Sequence, residues 1–393
     1  MGGSPTLTAT RLYSAGVRLS SITDWLSNQT LFNYDAVGNL KGIVYPNSSQ
    51  AAFAYDAANR LTSVTQGISV TTYFSSTYTR GGLGLLLSSV ESGSSTQGYN
   101  YDALNRLTAA LLGGASPVTR TWGYDAAHQI TQSGVQVGVA SSVTVTNRTY
   151  DPANELTGLV EQQGVTTTRT LTYTYNLNGG RTTQASSPGT PLTYTFDLAG
   201  RMSGFSNGAS PYTYSYNGDG LRMVKNGGSP EYYAWDLSGN LPDLLQDGTA
   251  SYIYGPNGMP IEEVTGASAY YYHTDQLGSV RALSDAAGTK VASYSYDPYG
   301  VPLSVGGAVY NPLRYAGEYA DAESGLVYLR ARYYDPATQQ FLSPDPLVVR
   351  SNRPYVYANS SPLSFTDPSG LLAFAVAGGV SIAVALACAG GFR

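Results

Sequence analysis

The stretch Tyr-Asp-Ala-Val-Gly-Asn-Leu at 34–40 decides the fold, because close copies of it recur along the chain. Tyr-Asp-Ala-Ala-Asn-Arg-Leu stands at 55–61 and Tyr-Asp-Ala-Leu-Asn-Arg-Leu at 101–107. Further copies begin at Tyr124, Tyr150, Tyr175, Phe196, Tyr216, Trp235, Tyr254 and Tyr296. Successive copies lie about 20 to 25 residues apart, or about twice that, and such a period is typical of a repeat architecture.

Each repeat unit is predicted to be a β-hairpin. Thr-Leu-Thr-Tyr-Thr-Tyr at 170–175 and Tyr-Thr-Tyr-Ser-Tyr at 212–216 alternate in the two-residue period of a strand. The Asp after each aromatic accepts a backbone N–H two residues on, and the following Gly or Asn tolerates positive φ, so the recurring phrase is a turn. We interpret the anchor residues as packing and turn residues rather than ligand contacts. The anchors are Tyr34, Asp35, Tyr55, Asp56, Tyr101, Asp102, Tyr124, Asp125, Tyr296 and Asp297.

Composition narrows the class of protein further. The 393 residues include 34 Tyr, and only 12% are charged, about half the usual ~25%. Abundant aromatics argue against disorder, and a net charge of -5 argues against a nucleic-acid partner. Because the chain has one cysteine, Cys388, and two histidines, His128 and His273, we expect no disulfide framework, metal or cofactor.

The repeats resemble the YD repeats of the RHS family, and the region after them is similar to the RHS repeat-associated core. The resemblance to the core is carried by an ordered series of motifs. They are Tyr-Tyr-His-Thr-Asp-Gln-Leu-Gly-Ser-Val-Arg at 271–281, Tyr-Ser-Tyr-Asp-Pro-Tyr-Gly at 294–300, Arg-Tyr-Ala-Gly-Glu-Tyr at 314–319, Ser-Gly-Leu-Val-Tyr-Leu-Arg-Ala-Arg-Tyr-Tyr-Asp-Pro at 324–336, Phe-Leu-Ser-Pro-Asp-Pro at 341–346 and Thr-Asp-Pro-Ser-Gly-Leu at 366–371.

The resemblance implies an all-β fold, in which a spiralling YD-repeat sheet forms part of a hollow shell that the RHS core closes as a plug. It divides the chain into an array at 1–269 that is incomplete at its N-terminus, a core at 270–371 and an apolar tail at 372–393 that begins a truncated cargo region. Related shells occur in Tc-type insecticidal toxins, type VI secretion effectors and teneurins.

By the same resemblance, the shell encloses a C-terminal toxin, releases it by self-cleavage and delivers it to a target cell. The implied partners are that toxin cargo, which is absent from this chain, and a secretion or delivery component. The implied location is secreted or on the surface of a bacterium. No N-terminal signal peptide is visible in the sequence.

Self-cleavage in the family is aspartyl-protease-like, and the matching residues are Asp345 and Asp367, with the cut between Leu371 and Leu372. Two neighbouring carboxylates suit such a reaction because their proximity keeps one of them protonated. A plainer interpretation is that both are turns, since Asp-Pro occurs five times in the chain. Asp335 competes for the role of first carboxylate, although we favour a structural turn there.

Three other residues of the core are interpreted as structural. His273 is expected to be a hydrogen-bonded core residue. Arg330 and Arg332 are expected to lie on one face of a strand and to pair with acidic residues of the core.

The tail and the overall function leave alternatives open. Residues 371–392 are almost wholly apolar and long enough to contact or cross a membrane, or they begin a cargo sheltered in the shell. The alternative function is that of a cell-surface adhesion or carbohydrate-binding protein without proteolysis. A non-functional remnant is a third possibility.

Overall fold

The computed structural model describes residues 7–14, 16–93, 96–138, 143–209, 211–351, 353–377 and 380–381. Among these residues, 21 strands form one antiparallel sheet, here called the wall, in which each strand pairs with the next along the chain. The all-β meander predicted from the repeats is therefore confirmed.

The strands of the wall are β1 (Thr10–Tyr13), β2 (Leu19–Thr23), β3 (Gln29–Tyr34), β4 (Leu40–Val44), β5 (Gln50–Tyr55), β6 (Leu61–Ile68), β7 (Thr71–Arg80), β8 (Leu86–Glu91), β9 (Thr96–Tyr101), β10 (Leu107–Leu112), β11 (Val118–Tyr124), β12 (Ile130–Val137), β13 (Thr144–Tyr150), β14 (Leu156–Gln163), β15 (Thr166–Tyr175), β16 (Arg181–Ser186), β17 (Leu192–Phe196), β18 (Met202–Ser206), β19 (Tyr212–Tyr216), β20 (Arg222–Asn226) and β21 (Pro230–Tyr232).

A second antiparallel sheet follows directly. Its strands are β22 (Ala234–Asp236), β23 (Asp243–Gln246), β24 (Ser251–Tyr254), β25 (Pro260–Thr265), β26 (Ser268–Thr274), β27 (Val280–Asp285), β28 (Lys290–Tyr296) and β29 (Pro302–Gly306). The expected boundary between residues 269 and 270 lies inside β26, so the hairpin pattern runs across it.

The closing segment, residues 307–371, contains short elements only. Its elements are β30 (Tyr319–Ala320), β31 (Val327–Leu329), β32 (Arg332–Asp335), β33 (Gln340–Phe341), the helix α1 (Val348–Ser351) and β34 (Phe365–Thr366). Two strands of the tail follow, β35 (Phe374–Ala377) and β36 (Val380–Ser381). Single 3₁₀ turns lie at Pro256–Gly258, Tyr315–Gly317 and Ala358–Ser360.

The recurring phrase forms the turns between wall strands. Asp35 Oδ1 accepts hydrogen bonds from the backbone nitrogens of Val37 (3.0 Å), Gly38 (2.7 Å) and Asn39 (2.9 Å). Gly38 has φ +102° and Asn59, its equivalent one unit later, has φ 58°, which is the conformation that glycine and asparagine tolerate best.

The anchor tyrosines join successive turns. The hydroxyl of Tyr55 donates to the carbonyl oxygen of Leu40 (2.8 Å), the residue that follows the preceding turn. Tyr101 bonds Leu86 in the same way (2.9 Å). Equivalent bonds run from Tyr34 to Leu19, from Tyr124 to Leu107 and from Tyr150 to Ile130. Each hairpin is thus tied to its neighbour through side chains as well as the strand ladder.

The second sheet packs on the first strands of the wall. The Tyr45 hydroxyl donates to the carbonyl oxygen of Tyr272 (2.8 Å), and both residues lie in the core. His273 is fully buried between Gln66 Oε1 (3.1 Å) and Ser284 Oγ (2.9 Å), as expected of a structural histidine. Burial lowers the pKa of His273 to about 3, so this residue is neutral.

The closing segment is tied to the later wall strands by buried arginines. Arg181 of β16 pairs with Asp335 (Nη1 to Oδ2, 2.8 Å), and Arg222 of β20 pairs with Asp321 (Nη1 to Oδ2, 2.6 Å). Neither arginine side chain has solvent-accessible surface. Because an unpaired buried charge is costly, these pairs fix the closing segment against the wall.

Candidate functional site

Asp367 lies beside the peptide bond that the resemblance marks for cleavage. It follows β34, is 3% exposed, and its Oδ1 atom lies 3.0 Å from the backbone nitrogens of both Leu371 and Leu372. The Ser369 hydroxyl donates to the same oxygen (3.2 Å) and accepts from the two nitrogens at 3.1 and 3.3 Å. The chain after Asp367 therefore folds back so that the 371–372 amide faces this carboxylate.

Arg332 is the counter-ion of Asp367. Its Nη2 atom lies 3.3 Å from Asp367 Oδ2, its Nε atom donates to the carbonyl oxygen of Gly370, and its Nη1 atom donates to that of Pro354 (3.2 Å). Arg332 begins β32, which places a rigid strand beneath the turn at 367–372. One guanidinium thus holds the carboxylate and the backbone just before the candidate cleavage site.

Asp345 shares a hydrogen-bond acceptor with this arginine. Its backbone nitrogen donates to the Pro354 carbonyl (2.7 Å), which also accepts from Arg332, and its Oδ1 accepts from the Leu347 nitrogen (2.7 Å). Asp345 is 5% exposed. Burial lowers the pKa of Arg332, and the charges of Asp367 and Asp345 act in the opposite direction. Asp367 thus pairs with Arg332 directly, whereas Asp345 is linked to Arg332 through the Pro354 carbonyl oxygen.

Burial raises the pKa of Asp367. The Arg332 charge, the Ser369 hydroxyl and the N–H groups of Leu372 and Leu371 act in the opposite direction because they stabilise the carboxylate. Leu372, on the C-terminal side of the candidate bond, is 51% exposed.

Asp367 differs from the other aspartates of Asp-Pro pairs. The carboxylates of those four accept the N–H two residues on, as in an ordinary turn. They are Asp151, Asp297, Asp335 and Asp345. Asp151 and Asp297 also accept the N–H four residues on, as Asp367 does from Leu371. Asp367 accepts the N–H of Leu372, five residues on, as well. The plain turn interpretation thus explains the contact with Leu371 but not the contact with Leu372.

Asp335, the competitor for the first carboxylate, is bonded to Arg181 and to Thr338 Oγ1 (2.7 Å). These bonds of the Asp335 carboxylate join the closing segment to the wall, which is consistent with the structural role predicted for this residue.

The prediction that Arg330 and Arg332 share a strand face is wrong. Arg330 has φ 58° and lies in the turn between β31 and β32, where it pairs with Glu318 (2.8 Å). Both arginines nevertheless pair with acidic residues, as expected.

Sequence reasoning missed the contacts of Arg332 and Ser369 at this site. The sequence predicts that Arg332 pairs with an acidic residue but does not identify that residue, and it predicts no role for Ser369. The signal available was the spacing within Thr-Asp-Pro-Ser-Gly-Leu at 366–371, since a serine two residues after an aspartate commonly bonds within a turn.

Two further observations bear on function. The exposed tyrosines of the described residues are Tyr13, Tyr232 and Tyr310, 38–64% exposed. The anchor tyrosines are half-buried, and the hydroxyls of all of them except Tyr296 donate to backbone carbonyl oxygens. Within that part of the chain, no three His, Cys, Asp or Glu side chains cluster as a metal site.

The predicted membrane-contacting tail lies partly outside the described residues. Its residues 374–377 form a strand, while 378–379 and 382–393 are not described. No helix among the described residues has the length and apolar character that crossing a bilayer requires.

Comparison with known families supports the resemblance in two regions. Residues 34–67 match the model of the RHS repeat, and residues 245–360 match that of the teneurin YD-shell. The chain contains RHS-type YD repeats.

Relatives of the chain include the tRNA nuclease WapA of Bacillus subtilis, 38% identical over 130 residues, which are 31% of this chain and 6% of WapA. The toxin protein Tse5 of Pseudomonas aeruginosa is 39% identical over 105 residues, 26% of this chain and 8% of Tse5. The chain therefore matches only a small part of the length of these relatives.

Among solved structures, the Tc holotoxin pore of Photorhabdus luminescens matches 93% of this YD-repeat chain with a TM-score of 0.63 and 17% identity. The match covers 21% of that chain. At this level of identity, the match establishes a shared fold.

Proposed function

We propose that this chain is part of a toxin-encapsulating YD-repeat shell that cuts itself between Leu371 and Leu372. The observation that carries the proposal is the 3.0 Å contact between Asp367 Oδ1 and the Leu372 nitrogen. This contact sets a buried carboxyl group against the nitrogen that must leave when the bond is hydrolysed.

The proposed reaction is hydrolysis by two carboxyl groups. Asp345 takes a proton from a water molecule, whose oxygen attacks the Leu371 carbonyl carbon. Asp367, whose pKa burial raises, gives a proton to the Leu372 nitrogen as the C–N bond breaks. The direct products are a carboxylic acid on Leu371 and an amine on Leu372, and Asp345 now holds the proton that Asp367 has lost. The new carboxylic acid then gives its proton to the amine, which leaves a carboxylate and an ammonium group. Arg332 positions Asp367 and the Gly370 carbonyl throughout.

The proposed cargo is the segment that begins at Leu372. WapA is named a nuclease and Tse5 a toxin, which supports a toxin at the C-terminal side and a delivery component as partner. The proposed location is outside the producing bacterium or on its surface. In this scheme residues 270–371 act as the core, and the array at 1–269 supplies the wall on which the core packs.

The test is the mass of the purified full chain under denaturing conditions. We expect separate fragments, 1–371 and 372–393, from the wild type and the intact chain from Asp345→Asn and Asp367→Asn. Asp151→Asn changes an Asp-Pro turn far along the wall and serves as the matched control, which still cuts. An intact wild-type mass after native folding would overturn the proposal.

A carbohydrate-binding surface is the weaker candidate. Such a surface needs exposed aromatic faces, whereas the anchor tyrosines contact backbone and core.

A further inference from the structure

The turn between β31 and β32 lies directly against the turn that carries Asp367. Residues 330–332, here called the clamp, comprise the first turn and the first residue of β32. Three consecutive clamp residues donate to three consecutive carbonyl oxygens. The bonds run from Arg330 Nη1 to Pro368 (2.6 Å), from the Ala331 nitrogen to Ser369 (3.2 Å) and from Arg332 Nε to Gly370.

Gly370 shows how closely the two turns approach each other. A Cβ atom at this position would lie 2.5 Å from the Leu329 carbonyl oxygen and 2.9 Å from the Arg332 nitrogen. Because such contacts are too short for any side chain, only glycine fits, and its φ of +67° also favours glycine. The backbone just before the candidate cleavage site is therefore seated on the clamp with no side chain between them.

The Arg330 guanidinium has two further partners that fix its direction. Nη1 also donates to Glu318 Oε2 (2.8 Å), and Nε donates to the carbonyl oxygen of Pro242 (2.9 Å), which lies between β22 and β23. The side chains of Arg330 and Glu318 are only 14% and 12% exposed. Since a charge in such surroundings is costly without its partner, Glu318 keeps the guanidinium where it meets the Pro368 carbonyl.

The backbone of Arg330 is strained for an arginine. Leu329 pairs with Arg332, so the turn between them has two residues, and φ of Arg330 is 58°. Glycine or asparagine adopts this conformation more readily. Strained backbone is concentrated at functional sites, where the surroundings hold it in place. The strain therefore indicates a role for the side chain that glycine could not fill.

We propose that Arg330 is a positioning residue for the self-cleavage. This inference rests on the proposed function and adds a residue to it. Arg332 holds the Asp367 carboxylate, whereas Arg330 acts through the Pro368 carbonyl and holds the backbone next to Asp367. Together they keep Asp367 Oδ1 at 3.0 Å from the Leu372 nitrogen.

The rate of self-cleavage tests this role, followed by denaturing mass spectrometry of the full chain during refolding. Arg330→Met removes the donors and keeps a side chain of similar length. We expect cleavage to slow about 10- to 100-fold, since a displacement of about 1 Å has effects of that size. Arg330→Lys keeps the charge and a donor and is expected to restore part of the rate.

Arg281→Met is the matched control. It removes an arginine–glutamate pair of similar burial, Arg281 with Glu91 (2.7 Å), from the second sheet, and it is expected to cut at the wild-type rate. The free energy of unfolding of each variant is measured in urea. Equal slowing by Arg330→Met and Arg281→Met would overturn the positioning role.

A second variant separates positioning from stability. Arg330→Asn suits the positive φ, but its side chain is too short to reach both Glu318 and Pro368. We expect this variant to cut as slowly as Arg330→Met while it folds at least as stably. A wild-type rate in Arg330→Asn would overturn the proposal.

Hydrogen exchange distinguishes failure of this inference from failure of the proposed function. In an Asp345→Asn background the bond is expected to stay intact, and the amides of Leu371 and Leu372 both bond Asp367 Oδ1. Adding Arg330→Met is expected to speed their exchange at least about tenfold, and adding Arg281→Met is expected to leave it unchanged.

If the wild type is never cut, the self-cleavage proposal fails, and faster exchange in the Arg330→Met chain still supports the hold of Arg330 on the turn. Unchanged exchange at Leu372 in that chain would overturn the positioning role, whether or not the wild type is cut.

Discussion

Asp367 Oδ1 lies 3.0 Å from the backbone nitrogen of Leu372, and the same oxygen lies 3.0 Å from that of Leu371. A single carboxylate oxygen therefore accepts the N–H groups of two consecutive peptide bonds, 370–371 and 371–372. This arrangement depends on the fold-back of residues 367–372. Arg332 stabilises it because its guanidinium pairs with the Asp367 carboxylate and donates to the Gly370 carbonyl oxygen.

The Ser369 hydroxyl is expected to lower the pKa of Asp367. It donates a hydrogen bond to Oδ1 and so favours the carboxylate. Ser369→Ala removes that bond and is expected to raise the pKa of Asp367 further. If Asp367 is the acid, the alkaline limb of the cleavage rate moves to higher pH, by up to about one unit for the loss of one hydrogen bond.

Cleavage rates of refolded Ser369→Ala and wild-type chains, measured from pH 4 to 9, check this expectation. Ser369→Thr keeps a hydroxyl and is the control. A limb that stays in place, or moves to lower pH, contradicts the assignment of Asp367 as the acid.

Glu262 is expected to make stability depend on pH. This residue is 1% exposed, and burial, together with the Asp24 charge and a hydrogen bond to Asp24, raises its pKa to about 9. Between the unfolded value near 4.5 and about 9, the folded state keeps a proton that the unfolded state loses. The stability that the protonated Glu262 side chain contributes is therefore fully present below about pH 4.5. It falls by about 1.4 kcal/mol per pH unit between there and about pH 9.

Glu262→Gln keeps the shape and hydrogen bonding of the protonated acid but cannot ionise. The variant is expected to match the wild type near pH 4 and to exceed its free energy of unfolding at pH 8, as measured by urea denaturation. Equal stability of the two proteins at both pH values would show that Glu262 is ionised in the fold.

Arg222 is expected to be essential for seating the closing segment on the wall. Its guanidinium pairs with Asp321 and lies 4.6–5.4 Å from the ring centres of four tyrosines. Arg222→Met leaves Asp321 buried with a weaker partner, Lys225, and is expected to cost about 3–5 kcal/mol of stability.

Arg60→Ala is the comparison for Arg222→Met, because Arg60 and Asp56 form a similar pair that is about one-third exposed. We expect a cost of about 0–1 kcal/mol there. Similar losses in the two variants would contradict the anchoring role of Arg222.

The hydroxyl groups of the anchor tyrosines are expected to contribute to the stability of the fold. Tyr101→Phe removes the hydroxyl that bonds the Leu86 carbonyl oxygen and is expected to cost about 0.5–1.5 kcal/mol in thermal or urea denaturation. Tyr13→Phe, at a tyrosine that is 58% exposed, is expected to cost less. The reverse order would contradict a stabilising role for the bonds between turns.

The sequence predicts what is local in this fold. The Asp35 turn and the alternation at 170–175 depend on neighbours along the chain, and both strands and turns appear where the pattern places them. The pairing of Arg181 with Asp335 could not be predicted in this way, because 154 residues separate the two and many acids were equally available. The turn at Arg330 was missed because a positive φ at arginine leaves no signal in composition.

At the candidate site, the family resemblance identified Asp345 and Asp367, but the residues that connect them were found only in the structure. Arg332 contacts Asp367 and the carbonyl to which Asp345 is bonded, an arrangement set by β32 and the turn after β34. Spacing alone does not determine how those elements cross.

The bonds from anchor tyrosines such as Tyr55 and Tyr101 to the preceding turn have a consequence for evolution. Because Tyr55 and Tyr101 make the same bond at the same place in their units, a whole hairpin can be duplicated or deleted and the flanking units still meet correctly. Insertion of a single residue in a strand would instead turn its tyrosine to the opposite face. Genes for such proteins are therefore expected to gain and lose length in whole-hairpin steps.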